Sequence, residues 1–228
     1  MRFLTDRSDA HAGPRAAQFR YANDQLRVAV RELLDGAGVR PGARVLDYGC
    51  AESPYRNELP VGVDYVGADL PGNPMATVEL DAAGRVPQAD ASFDVVLSTQ
   101  VLEHVEDPAG YVHECSRLLV ARGSLVLSTH GVMYYHRDPE DYWRWTAKGL
   151  GKVVSDAGLE VVAMKGVLAL GAAALQIFQD GTIWKLPRPL RRPYAAGMQR
   201  VIAFTDRRYE ESSRLENCLT IALRATKP

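Results

Sequence analysis

Between Phe19 and Leu34, apolar side chains recur at helical spacing (Phe19, Leu26, Val30, Leu33, Leu34), and Gly36 and Gly38 end the run. Pro14, upstream, suits a helix's first turn. From Ala43 the pattern changes to short apolar runs bounded by polar, glycine-bearing turns. Val45-Leu46 closes on Asp47, Val63 to Val66 leads to Asp69, Val78-Glu-Leu closes on Asp81, and Phe93 to Thr99 forms a fourth run. Gly123–Thr129, Leu159–Met164 and Asn217–Leu223 predict three more strands. Helical stripes fall between them. Asp107 reads as an N-cap before Pro108, with Tyr111, Val112, Cys115, Leu118 and Leu119 on one buried face. Thr146 caps a second stripe of Leu150, Val153, Val154 and Ala157, closed by Gly158. Continuous apolar strands alternating with helices predict an α/β fold with a mostly parallel sheet.

The chemistry is concentrated in Ala43-Arg-Val-Leu-Asp-Tyr-Gly-Cys-Ala-Glu-Ser-Pro-Tyr55. A buried strand that ends in an acid and turns at a glycine opens onto a crevice where nucleotide-like ligands sit. A dinucleotide turn would read G-x-G-x-x-G. Here Gly49 is followed by Cys50, Ala51 and Glu52, so the pyrophosphate site is missing and a nicotinamide dehydrogenase is disfavoured. Asp47 and Glu52 repel phosphate but suit an ammonium and a sulfonium, which describes S-adenosylmethionine (SAM). At the end of the second strand Asp69, followed by Leu70, is placed to accept hydrogen bonds from both ribose hydroxyls.

With these residues in view, the chain resembles the class I SAM-dependent methyltransferases, in the type 11-like subgroup with D-x-G-x at the first strand, F-D-x-V at the fourth and L-E-H-V after it. The likeness runs from about Arg40 to Lys165. It implies a Rossmann-like sheet of seven strands, mostly parallel with an antiparallel last strand at the edge, and helices on both faces. It also implies that Gly49, Cys50, Ala51 and Tyr55 line the cofactor, with Arg56 near its carboxylate, and that Asp81 and the N–H of Ala82 take the adenine. A plain Asp turn is the other reading of Asp81. In the family a leading helix covers the cofactor, which puts Gln18 and Tyr21 beside it. In related quinone-type enzymes carboxylates and a histidine in the pattern of Gln100, Glu103 and His104 hold a divalent cation. Gln100 replaces the first of those acids, although an amide oxygen can still ligate Mg²⁺. Alternatively His104 packs and Glu103 caps, leaving Gln100 beside the cofactor.

A length of 228 residues suits one domain, 1–228, divided into an N-terminal arm and covering helix (1–38), an acceptor-side loop (130–146) and a helical insertion before the last strand (167–214). In the insertion, Val167–Phe178 and Ala195–Phe204 read as apolar helices that could pair two copies of the chain, and 187–193 as a stiff basic loop. A net charge of −1 gives no nucleic-acid footprint. Three scattered cysteines, no apolar leader and no long apolar run point to a cytoplasmic protein with no transmembrane segment.

Methyl transfer to an alcohol needs a proton acceptor or a metal. Glu103 and His104 stand after the fourth strand, while His130, His136 and Asp138 stand on the loop over the acceptor, and His136 is the first choice of base. On that loop Tyr134, Tyr135, Tyr142 and Trp143, interleaved with Arg137, Asp138 and Arg144, offer flat apolar faces beside planar hydrogen-bonding groups, as a sugar or oligosaccharide requires. D-P-E-D-Y-W-R-W-T resembles methyltransferases that decorate polysaccharides. With the Arg- and Ala-rich composition, the resemblance extends to actinobacterial sugar O-methyltransferases of methylmannose polysaccharide synthesis. A phenolic or quinone-like acceptor is the alternative, and a non-catalytic SAM-binding regulator is the second.

Overall fold

The computed structural model describes residues 17–136 and 140–228. The expected N-terminal arm, Pro14, Arg137 and Asp138 lie outside the described residues. Helix α1 (Arg20–Gly36) leads into strands β1 (Arg44–Tyr48), β2 (Asp64–Asp69), β3 (Val78–Glu79) and β4 (Phe93–Thr99). Helix α2 (Pro108–Leu118), strand β5 (Leu119–His130), helix α3 (Ala147–Asp156) and strand β6 (Glu160–Ala169) follow. Then come α4 (Leu170–Ile183), α5 (Arg188–Asp206), the short α6 (Glu211–Arg214) and β7 (Cys218–Thr226). The seven strands form one sheet in the order β3-β2-β1-β4-β5-β7-β6. Strands β1 to β5 pair in parallel, and β7 runs antiparallel to both of its neighbours. The order reverses between β1 and β4, the switch point beside which ligands bind in open α/β sheets.

The strands are apolar on successive residues because both faces are covered. Leu46, Val96, Leu125 and Leu127 belong to a core with α2 and α3, whereas Val45, Val95, Leu97 and Val126 belong to one with α1 and α4. The predicted caps form: Asp107 accepts from the Gly110 N–H at 2.9 Å and Thr146 from the Gly149 N–H at 3.1 Å. Tyr111 and Cys115 are core residues, and Tyr111 stacks on Tyr48 with ring centroids 4.4 Å apart.

Four expectations are corrected. Strand β7 is antiparallel but lies inside the sheet, and β6 forms the edge. Residues 167–169 extend β6 rather than begin a helix, because Val167 pairs with Thr220 and Ala169 with Cys218. The expected basic loop 187–193 is the start of α5, where Pro187 at the N-cap and Pro189 in the first turn forgo N–H groups that would lack partners there, while Pro193 lies inside the helix. Strand β3 is only Val78–Glu79, which leaves Asp81 beyond its end. Phe178, Trp184, Leu190, Val201 and Phe204 are exposed along α4 and α5 and their connection, the surface on which the expectation of paired subunits rests. No helix among the described residues is long and apolar enough to cross a membrane.

Candidate active site

The β1 turn is drawn tightly against β2 and β4. The Gly49 and Cys50 N–H groups both donate to the Ala68 carbonyl, at 2.8 and 3.1 Å. Gly49 has φ +80°, and a Cβ placed there would meet Val101 Cγ2 at 2.5 Å. Ala51 and Ser53 also hold left-handed backbones, at φ 44° and 55°, conformations that L-residues adopt at a cost and that cluster at binding sites.

Asp47 is 1% exposed and accepts from the Tyr65 hydroxyl at 2.6 Å. Asp69 accepts from the N–H groups of Ala51 (2.9 Å) and Leu70 (2.7 Å) and from the Asn73 amide (2.6 Å). The two acids therefore stand at the ends of adjacent strands on one side of the sheet, with Tyr65 and Asn73, which local sequence did not single out, as their supports. Burial pushes the Asp47 carboxyl up to about 6, its hydrogen bond from Tyr65 pulls down, and the charge of Asp69 adds upward. Because this acid is raised in the folded protein, protonating it at low pH favours the fold, and that gain is lost as pH rises towards 6 and above. A cationic ligand has the opposite preference, since it needs the carboxylate. Calorimetric titration with SAM is expected to show affinity roughly tenfold weaker at pH 5 than above pH 7. A pH-independent affinity would exclude Asp47 as the partner of the cation.

The other expected cofactor residues separate. Tyr55 is buried in the α1-side core, and Arg56 lies over the Tyr65 ring at 5.0 Å. Asp81 folds its own turn, accepting from the N–H groups of Ala83 and Arg85, and both Asp81 and Ala82 are exposed. The Gln18 carbonyl receives the side-chain amides of Gln176, Gln179 and Gln199. Tyr21 donates its hydroxyl to Asp206, which also binds the Ala169 N–H at the end of β6, so its polar tip is tied to the far edge of the sheet.

Beyond β4, Gln100 (φ +55°) turns its amide to Ser128 Oγ at 3.1 Å. The His104 ring is held through Nδ1 by the Glu140 carbonyl. Glu103, fully buried, accepts from Thr129 Oγ1 at 2.8 Å with one oxygen and faces His130 Nδ1 at 3.4 Å with the other. In the expected metal set of Gln100, Glu103 and His104, the Gln100 amide nitrogen and His104 Nδ1 are thus engaged by Ser128 and the Glu140 carbonyl. Among the described residues, Glu103, His130 and His136 converge, with ligand atoms within 4.8 Å of one another. The fit to a cation is tested by two orphans: Glu103 Oε1 and His130 Nδ1 are buried with no hydrogen-bond partner, which a bound ion would satisfy. His130, from the end of β5, completes the set. Burial pulls its imidazole down to about 3, with the charges of His136, Arg144 and His104 adding to the effect, so the ring is neutral near pH 7.

The acceptor-side loop is strapped over this cluster. The Glu103 carbonyl accepts the N–H groups of Tyr142 (2.8 Å) and Trp143 (3.2 Å), and the His136 N–H donates to Asp141 at 2.7 Å. Arg144, expected on the substrate, is instead an internal clamp: it grips both Asp141 oxygens at 2.6 Å and the carbonyls of Met133 and Tyr134. Burial alone would raise Asp141, but the hydrogen bonds from Arg144 and the His136 backbone prevail and hold it at about 2. Tyr135, Tyr142 and Trp143 are exposed around the strap.

A mostly parallel sheet with its reversal at β1/β4, an acid at the end of each of the first two strands and a polar cluster past the fourth and fifth define the class I methyltransferase fold. Residues 19–164 match the family described as "Methyltransferase domain", and the chain belongs to that family. Ubiquinone biosynthesis O-methyltransferases are similar to it. That of Cereibacter sphaeroides is 31% identical over 163 residues, covering 56% of this chain and 64% of the relative. That of Dinoroseobacter shibae is likewise 31% identical, with the same coverage. The chain thus spans just under two thirds of the length of these curated relatives. Among solved structures, the Haemonchus contortus phosphoethanolamine N-methyltransferase 2 bound to SAM superposes with a TM-score of 0.58 at 16% identity, over 99% of this chain and 60% of that one. The [4+2]-cyclase SpnF superposes at 0.59 and 17%, over 89% and 81%. A cyclase and a methyltransferase on one scaffold show that these likenesses carry the fold and no further.

Proposed function

We propose that the protein transfers a methyl group from SAM to a hydroxyl of a small phenolic or quinone-like acceptor. The observation that carries the reading is the pair Asp47 and Asp69, buried at the ends of β1 and β2 beside the switch point, with a polar cluster past the ends of the neighbouring β4 and β5. Val101 links the two parts, packing against Gly49 on one side and preceding Glu103 by two residues. In the reaction an acceptor oxygen lone pair forms the new O–C bond as the C–S bond breaks. The electron pair stays on sulfur, which leaves neutral as S-adenosylhomocysteine, and the hydroxyl proton departs through the cluster to water. No anion is left on the leaving group, so alignment of oxygen, carbon and sulfur supplies most of the barrier reduction. Deprotonation is the remaining task, and His136 is the least buried of the three cluster residues, the one on the loop side.

The names of the ubiquinone-pathway relatives support the ring-hydroxyl acceptor. The sugar reading retains one supporting observation, the exposed rings of Tyr135, Tyr142 and Trp143. Mass spectrometry of products formed from SAM with a catechol and, separately, with a mannose oligosaccharide discriminates them; methylation of the catechol alone is expected. His136→Ala is expected to lower turnover roughly a hundredfold with SAM affinity retained. Formation of no methylated product despite SAM binding would leave a non-catalytic SAM binder.

A further inference from the structure

Glu103, His130 and His136 come from three separate segments: the turn after β4, the end of β5 and the loop above. Each is fixed from behind. Thr129 Oγ1 holds the second Glu103 oxygen at 2.8 Å, and the Glu103 backbone carbonyl is held by Tyr142 and Trp143. His130 stands in a strand register paired with Thr220. The His136 backbone is pinned by Asp141, whose charge is in turn matched by Arg144. Supporting contacts of this kind orient metal ligands in proteins. Glu103 Oε1 and His130 Nδ1 lie 3.4 Å apart and are enclosed with no hydrogen-bond partner, in residues 0% and 5% exposed. His136 packs edge-on against His130, with centroids 4.8 Å apart, and against His104 at 5.0 Å.

We propose that Glu103, His130 and His136 form a divalent-metal site of two imidazoles and one carboxylate, selective for a nitrogen-preferring ion such as Zn²⁺ or Co²⁺ over Mg²⁺. Bonds of about 2.0–2.2 Å to a tetrahedral Zn²⁺ place ligand atoms about 3.4 Å apart. The present spacing of up to 4.8 Å closes to that with side-chain movements on the order of an ångström. Two nitrogen donors disfavour Mg²⁺, which takes oxygen ligands and keeps its water. Among the described residues, Arg144 is a nearby positive charge that opposes a cation, and its pairing with Asp141 offsets that. Three protein ligands leave a fourth position, to which an acceptor hydroxyl could bind and become more acidic. The use of the site in methyl transfer rests on the function proposed above, whereas occupation of the site does not.

Protein stripped with a chelator and dialysed against Zn²⁺ or Co²⁺ tests this by elemental analysis and by the visible d–d bands of Co²⁺, with no acceptor present. One equivalent per chain is expected, with tetrahedral-type Co²⁺ bands. Glu103→Gln and His130→Ala are expected to weaken uptake a hundredfold or more, and Thr129→Val about tenfold, since all ligands stay in place and only one loses its support. Gln100→Ala and His104→Ala are expected to change uptake less than about threefold. Circular dichroism reports whether each variant folds, and Thr129→Val decides the matter where a ligand variant does not. Absence of stoichiometric metal in the folded wild type, or loss of uptake in His104→Ala with retention in His130→Ala, overturns the site. SAM calorimetry on the same samples separates the outcomes: SAM bound without metal sinks only the metal site, and metal bound without SAM sinks the methyltransferase reading.

Discussion

Gly49→Val is expected to abolish measurable SAM binding and to destabilise the fold by about 2–5 kcal/mol. Two costs add. A left-handed backbone at φ +80° penalises any residue with a Cβ, and that Cβ would stand 2.5 Å from Val101 Cγ2. The turn can escape only by moving away from Val101, which carries Gly49 and Cys50 off the Ala68 carbonyl and loosens Asp69 from the Ala51 N–H. Calorimetry with SAM and urea unfolding measure the two effects. Adding Val101→Ala to Gly49→Ala relieves the collision but not the backbone cost, so the double variant should recover part of the stability, and complete recovery would show that the glycine is needed for space alone. Wild-type SAM affinity in Gly49→Val would remove this turn from the cofactor site.

Asp206→Ala is expected to be the most damaging single change away from the site, costing about 3–5 kcal/mol. Its carboxylate is fully buried and holds the Arg214 guanidinium with both oxygens at 2.7 Å, the Ala169 N–H at 2.9 Å and the Tyr21 hydroxyl at 3.1 Å. Removing it strands a largely buried cation and a backbone donor together, and ties between α1, β6, α5 and α6 fail at one point. A fall in melting temperature on the order of 10 °C follows for a chain of this size. Asp206→Asn keeps an acceptor for Ala169 but not the charge, and should fall between the two. A change within about 1 °C for Asp206→Ala would show that solvent replaces these contacts at no net cost.

The fold was legible wherever a local pattern had one physical meaning. Val45-Leu46 and Val95-Val96-Leu97 are apolar without alternation because the sheet is covered on both sides, and Asp107 and Thr146 cap helices because each is followed by a donor three residues on. Val167-Leu-Ala-Leu-Gly-Ala-Ala-Ala-Leu was ambiguous, as a short apolar run fits strand or helix alike. Pairing with β7, a long-range event, decides the boundary at Ala169/Leu170. The arginines and prolines of 187–193 suggested a loop for want of any sign that they begin a helix.

The candidate site was legible in its strand-end acids and in Glu103, His130 and His136 singly, but not in the grouping of these three. Gln100, Glu103 and His104 have the i, i+3, i+4 spacing of one helical face, yet they sit on a left-handed residue followed by a single 3₁₀ turn, Leu102–His104. The residue that joins Glu103, His130, lies 27 positions along the chain from it and is brought there by the parallel pairing of β4 with β5. No spacing rule spans that gap. The Arg144 guanidinium looked like a substrate clamp because its neighbours are aromatic, whereas its bonds go inward to Asp141 and two carbonyls.

The interior place of β7 sets the order in which the sheet can be finished. The growing chain makes β5 and β6 well before the strand that belongs between them, so each first presents an open ladder with no neighbour on that side. Only when Cys218–Thr226 slides into the gap are both ladders satisfied at once. Assembly therefore waits on long-range pairing, which is slow and leaves sticky edges bare in the meantime. Until then the nascent protein is open to neighbouring chains along that slot.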